Sequence, residues 1–290
     1  MRWKPNGSIT AMAAALCATI IGCTTVPETP SYTHRAQRLL STGSKTHGVG
    51  ELDRASLFYK RALEIYRGTD DRKGTVECLE KLATINRELG KFDDAVACAT
   101  ESLSIAREIG DRQQEVDAVG KLGSIWYARG DSVQAADLFR QALALAEQAG
   151  YVRGIADQHN NLGLVSKQRG DYDDAKRLYT RALRIYQKLA DKRGQAACLN
   201  NMGALLEAQT NYTGAVELYN RALALDKKAG NVQGIALSLH NLGTVHTKLG
   251  APAKAADYFQ RASYVNSWIG RNDRAAQDLK EAEKARTLPQ

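Results

Sequence analysis

The sequence predicts an all-α fold: a right-handed α-solenoid of six helical hairpins followed by one C-terminal capping helix. Three columns of small residues returning every 40 positions carry that expectation. The first is Ala55, Ala95, Ala135, Ala175, Ala215 and Ala255, and the second is Gly43, Ala83, Gly123, Gly163, Gly203 and Gly243. Ala62, Ser102, Ala142, Ala182, Ala222 and Ala262 form the third. A fixed period of this length marks a repeat architecture. Small residues in phase mark sites where packed helices approach closely.

Residues 1–22 have a different character. Arg2 and Lys4 precede an apolar stretch over residues 9–21, which ends in Ile20-Ile21-Gly22-Cys23. That stretch has the charge and length of an export signal and falls short of the roughly 20 residues of a membrane span. With an aliphatic residue three positions before Cys23 and a small one just before it, the segment resembles the bacterial lipoprotein signal. The resemblance implies cleavage before Cys23 and lipid, palmitate included, on Cys23, so that the mature chain is anchored and does not span. The alternatives are an ordinary cleaved signal and an uncleaved anchor. Thr24, standing where an aspartate would retain a lipoprotein at the inner membrane, implies sorting to the outer membrane, facing the periplasm. Residues 23–30 contain two prolines and little apolar content, and read as an extended tether.

Residues 31–270 divide into the units 31–70, 71–110, 111–150, 151–190, 191–230 and 231–270. In the fourth, Ile155, Leu162, Gly163 and Val165 mark a first helix, and Gly170-Asp171 interrupts it. Ala175, Leu178, Tyr179, Ala182, Leu183 and Tyr186 follow at helical spacing. Gly50, Gly90, Gly130, Gly170 and Gly250 separate first from second helices, with Thr210 as the exception, and Gly110, Gly150, Gly230 and Gly270 separate units. Glycine at a helix end accepts the left-handed conformation. Asp70, Asp71, Asp111 and Asp191 lie where they could cap the next helix. Residues 271–290 form the cap, a charged helix with Ala275, Leu279 and Ala282 on its expected buried stripe.

Leu122-Gly123, Trp126, Ala135, Phe139 and Ala142 stand at the steps of the tetratricopeptide repeat. Leu162-Gly163, Ala175, Tyr179 and Ala182, and Met202-Gly203, Ala215, Tyr219 and Ala222, do the same. Residues 31–270 therefore resemble that family. The usual unit is about 34 residues and ends in proline, whereas Arg107, Glu147, Gln187, Lys227 and Ser267 stand at the proline sites here. The longer unit resembles those of kinesin light chains, spindle-orientation adaptors and bacterial peptide-sensing regulators. A HEAT-like array is the alternative at this period, and the Leu-Gly and Ala columns argue against it.

By the family resemblance, the exposed side of each first helix lines a concave groove. Lys81, Lys121, Asn161, Asn201 and Asn241 share one position there, flanked by Asn160, Asn200 and His240. Asparagine is a poor helix former, yet its amide both donates to and accepts from a peptide backbone. The resemblance implies that Asn161, Asn201 and Asn241 contact a peptide or protein ligand. The other reading of the column is solvation or bonding between neighbouring repeats.

The chain has 40 basic and 32 acidic residues; without Arg2 and Lys4, 38 basic residues remain, a formal excess of 6. Glu77, Glu80, Asp117 and Glu207 mix with Lys81, Arg87, Lys121 and Lys248 along the groove, which argues against nucleic acid as partner. His34, His47, His159, His240 and His246 form no metal motif. His159 occupies a column otherwise apolar and reads as packed. Gly43-Ser44-Lys45-Thr46 lacks the rest of a phosphate loop, so no cofactor, metal or small-molecule substrate is expected. Cys78 and Cys98, on the two helices of one hairpin, read either as a disulfide or as free thiols. The function expected is a non-catalytic, membrane-anchored binding scaffold of the envelope. A structural oligomer joined through repeat ends is the second reading. An enzyme with Glu207 near His240 or His246 is the third.

Overall fold

The computed structural model describes residues 30–287, so the expected signal and Cys23 lie outside the described residues. Among the described residues there are thirteen helices and no strand. They are α1 (Pro30–Gly48), α2 (Leu52–Gly68), α3 (Arg72–Glu88), α4 (Phe92–Glu108), α5 (Arg112–Arg129), α6 (Ser132–Gln148) and α7 (Val152–Gln168). They continue as α8 (Tyr172–Lys188), α9 (Lys192–Ala208), α10 (Tyr212–Ala229), α11 (Val232–Lys248), α12 (Pro252–Trp268) and α13 (Asn272–Arg286). Each helix packs on the next in sequence, and α3, α5, α7, α9 and α11 also touch one another in succession. The odd-numbered helices therefore form a continuous inner layer and the even-numbered ones an outer layer.

The second small-residue column is the point where the two helices of a hairpin cross. A Cβ added to Gly43, Gly123, Gly163, Gly203 or Gly243 would lie 2.6–2.7 Å from a ring carbon of Tyr59, Phe139, Tyr179, Tyr219 or Phe259, respectively. These rings are at most 3% exposed. In the second unit, where Ala83 replaces the glycine, the partner position is Ala99 and both are buried. The chain thus trades a glycine and a ring for two alanines at one contact.

A second size match, between units, has no counterpart in the sequence reading. Gly74 and Gly194, in the first turns of α3 and α9, lie under the rings of Tyr66 and Tyr186, where a Cβ would stand 2.3–2.4 Å from a ring carbon. At the corresponding place in α5 the residue is Gln114, and the facing position holds the small Ala106.

The helix ends repeat every 20 residues. Gly50, Gly90, Gly110, Gly130, Gly150, Gly170, Gly230, Gly250 and Gly270 have positive φ, and Asp70, Ala190 and Thr210 fill the remaining three junctions with φ of 53°, 52° and 60°. Asp70 is thus the left-handed residue of its turn. Asp71, Asp111, Asp131 and Asp191 cap the following helices by accepting from Gly74, Gln114, Gln134 and Gly194 backbone N–H groups, and Asn211 and Asn231 do the same.

The first loop of the solenoid meets its last junction. A Cβ on Gly270 would stand 2.6 Å from the Val49 carbonyl oxygen, and one on Gly50 would stand 3.2 Å from Arg271 Cγ. Seven other glycine turns have nothing within 4 Å. Gly50 follows the first helix of its hairpin and Gly270 the second helix of its own, so the contact joins opposite edges of the hairpin stack, which stand about one 17-residue helix, roughly 26 Å, apart. Among the described residues no hydrogen bond crosses this seam, which borders a cavity of about 810 Å³ lined in part by Arg87, Glu88 and Arg271.

The cap differs from expectation in one respect. Ala275 and Ala282 are buried, but Leu279 is 44% exposed and Asp278 turns inward at 2%. Asp278 Oδ1 pairs with His240 Nδ1 at 2.6 Å and its Oδ2 accepts from Asn266 Nδ2 at 2.7 Å. Two polar partners fixed on α11 and α12 thus decide the rotation of α13. Gly43 lies inside α1 against Tyr59, so the Gly43-Ser44-Lys45-Thr46 run is helix, not a phosphate loop. Cys78, Cys98 and Cys198 are free thiols.

Gly163→Ala should destabilise the protein by about 1–3 kcal/mol, the cost of forcing a methyl group into a filled contact. In a Tyr179→Ala background the same change should stabilise by up to about 1 kcal/mol, the helix propensity gain of alanine over glycine. Chemical denaturation of the four members of the cycle reads the change of sign.

Candidate functional site

The inner layer carries the candidate site because its helices present one face to the core and the opposite face to the channel. Lys81, Lys121, Asn161, Asn201 and Asn241 are all half-buried, one on each of α3, α5, α7, α9 and α11. Their flanking neighbours take different roles. Asn200 is buried, and its amide exchanges hydrogen bonds with the Ser238 hydroxyl at 3.1 and 3.2 Å. Asn160 Oδ1 accepts from Asn201 Nδ2 at 2.9 Å and from Cys198 Sγ at 3.5 Å. His240 is committed to Asp278, with its ring edge-on to Phe259. The C-terminal half of the column is therefore largely an amide ladder between repeats, leaving Asn161 and Asn241 outside that ladder.

The N-terminal half is charged and hollow. Residues from α3, α5 and α7 line an open pocket of about 300 Å³, including Glu80, Arg87, Asp117, Lys121, Asp157, Gln158 and Asn161. Gly120 makes room for Gln158: at the repeat position held elsewhere by Glu80, Asn160, Asn200 and His240, it has no side chain, and the Gln158 amide packs there. A Cβ there would stand 2.8 Å from Gln158 Nε2. Charges and amides on this face were legible in the sequence, but Gln158 was missed. Its only available signal was a glycine inside a helix one repeat earlier.

Burial sets the protonation states in this pocket. Asp117 is pushed up to about 7, first by burial and then by the neighbouring Glu80 and Asp157 charges, against the lowering effect of Lys121 and of a 3.5 Å bond from Tyr151 OH. Glu80 is raised by burial despite Lys121 and Lys81. Asp157 is also raised by burial, opposed by the hydroxyl of Tyr186 donating to it. Lys121 is lowered by burial, with Glu80 opposing.

Other expected residues lie apart. His159 is buried, and burial lowers its pKa. Glu207 accepts from Tyr219 OH and Lys248 Nζ at 2.8 Å each, while His246 stacks on Tyr258. The carboxylate of the enzyme reading is thus engaged by a tyrosine and a lysine. Among the described residues no helix is long and apolar enough to cross a membrane.

Because Asp117 holds its proton in the folded state well above its unfolded value, its contribution is present in acid and lost as pH rises from about 4 through 7. Asp117→Asn should therefore gain melting temperature relative to wild type as pH increases across that window. Thermal denaturation at pH 4, 6 and 8 measures the difference, and a constant offset would refute the assignment.

The family profile described as Tetratricopeptide repeat matches residues 46–108, 75–148, 155–228 and 199–263. No curated protein matches the sequence significantly. Among solved structures, BtubC (BKLC) from P. vanneervenii is 23% identical, with 81% of this chain and 92% of that chain covered at a TM-score of 0.56. A Rap protein complexed with Competence and Sporulation Factor is 16% identical, covering 87% of this chain and 75% of that one at 0.64. The Rap conjugation gene regulator of plasmid pLS20, in complex with a Phr peptide, is 18% identical, covering 86% and 72% at 0.62. At these identities the likeness is one of fold. The profile matches extend over most of the hairpins, and the chain belongs to the tetratricopeptide repeat family.

Proposed function

We propose that this protein is a non-catalytic scaffold that binds a peptide or protein segment along its inner face. The observation that carries the reading is the row of half-buried polar side chains at one repeat position on five consecutive inner helices, Lys81, Lys121, Asn161, Asn201 and Asn241. Such a row offers donors and acceptors at the spacing of stacked helices, about 10 Å, which suits an extended chain crossing several repeats. Relatives in fold support it, since two of the Rap structures hold a peptide or factor. The proposal extends to location. Arg2, Lys4, the apolar residues 9–21 and the Ile20-Ile21-Gly22-Cys23 motif argue for lipid on Cys23 and an outer-membrane protein facing the periplasm.

Assembly through the repeat ends is the second reading, and α13 argues against it. Glu283 stands in the column that is glycine or alanine in every complete hairpin, and it is exposed. An aromatic from a further hairpin would meet a carboxylate there.

Capture from detergent-solubilised envelopes with wild type and with a folded Asn161→Ala, Asn241→Ala variant tests the groove. A partner held by wild type and lost by the variant is expected, and equal capture would move recognition elsewhere. Cys23→Ala should release the protein from membranes or arrest its maturation. Normal processing with unchanged membrane association would contradict the anchor.

A further inference from the structure

The last outer helix departs from its five predecessors at two outward positions. Tyr264 and Trp268, one turn apart on α12, are 74% and 71% exposed. In the other five units these two places hold only small, polar or charged residues, from Glu64 and Gly68 in the first to Ala224 and Lys228 in the fifth. Among the described residues neither ring has an aromatic or cationic partner. The hairpin thus packs without rings at these places in every other unit, and a neighbouring pair of large exposed aromatics marks an interaction surface.

Its position says which surface it meets. α12 ends just before Gly270, at the contact with Val49, and α2 starts just after Gly50 at the same seam. On α2 the outward Leu57 is exposed, with Lys60 and Arg61 exposed three and four residues on. A second copy of the chain is a poor fit, because two rings supply about 150–250 Å² each, short of the roughly 800 Å² that each partner of a stable pair covers. A bilayer needs no such area from the pair, since the lipid supplies the hold. Tryptophan and tyrosine, apolar bodies with one polar N–H or O–H, suit the headgroup layer, and cations such as Lys60 and Arg61 suit its anionic lipids. Chain length agrees. The seven steps from Cys23 to Pro30 reach at most about 25 Å, and α1, 19 residues and about 28 Å long, leads from there to the seam. A first hairpin laid along the bilayer therefore brings the seam, and the end of α12 with it, to the surface that holds the lipid.

We propose that Tyr264 and Trp268 form a membrane-docking face, which seats the outer side of the seam on the headgroup layer of the bilayer that holds Cys23. The inference rests on the reading of Cys23 as the lipid anchor.

The test uses the full-length protein, purified in detergent and reconstituted into vesicles of phosphatidylethanolamine and phosphatidylglycerol, with and without brominated lipid. Tryptophan emission is compared between wild type and Trp268→Phe, verified as folded by thermal denaturation, so that the difference isolates Trp268 from Trp3 and Trp126. The Trp268 emission should shift to the blue in vesicles and be quenched by the brominated lipid. Tyr264→Asp, likewise verified as folded, should reduce that quenching several-fold. Unquenched Trp268 emission, or quenching indifferent to Tyr264→Asp, would overturn the docking face. So would a dimer that Trp268→Phe dissolves in light scattering, which would assign the rings to a second copy. Unquenched Trp268 in a protein that Cys23→Ala releases from membranes would leave the anchor and remove the docking face. Quenched Trp268 in a protein whose processing and membrane association Cys23→Ala leaves unchanged would keep the docking face and remove the anchor.

Discussion

The crossing of the two helices in each hairpin depends on one contact: a residue without a side chain against a buried ring. In five hairpins glycine meets tyrosine or phenylalanine at a separation that no Cβ tolerates, and in the sixth the pair is Ala83 and Ala99. A close, repeated crossing fixes the angle between layers. Because the same crossing recurs every 40 residues, a small rotation per hairpin accumulates coherently. The result is a solenoid whose first loop touches its last junction, with one polar face of the inner helices turned toward a shared channel.

That channel is not uniform. Toward the C-terminal end, Asn160, Asn200, Asn201, Ser238 and Cys198 bond to one another across neighbouring repeats, and Asp278 closes the row by gripping His240 and Asn266. Amides used in this way fix the stacking of one inner helix on the next and leave less for a ligand. Toward the N-terminal end the same positions hold Glu80, Lys81 and Lys121, and at Gly120 the amide of Gln158 fills the place of a side chain. Burial there raises the Glu80, Asp117 and Asp157 carboxylates.

Much of the fold was legible in the sequence because the chain presents its own alignment. Six copies of Gly43, Ala55 and Ala62 expose packing that a single copy would hide, and glycines at 20-residue intervals marked the turns, Asp70, Ala190 and Thr210 aside. Contacts that depend on how neighbouring repeats are turned were not legible. Whether Asn200 faces a ligand or Ser238 depends on how α9 and α11 are turned against each other. Leu279 was expected inside, and the pull of His240 and Asn266 on Asp278 turned it out. The seam between Val49 and Gly270 lay furthest from view, since it sums the rotation of every hairpin between them.

The central claim is that this summed rotation closes the solenoid on itself. A Cβ on Gly270 would meet the Val49 carbonyl oxygen at 2.6 Å, whereas one on Gly250, also left-handed, would meet nothing within 4 Å. The direct measurement is therefore the stability of Gly270→Ala against that of Gly250→Ala by chemical denaturation, since both carry the same backbone strain and only the first has the other end of the solenoid against it. A clearly larger loss at Gly270 is the predicted result. Equal losses would show that the ends stand apart and that the inner face is an open groove.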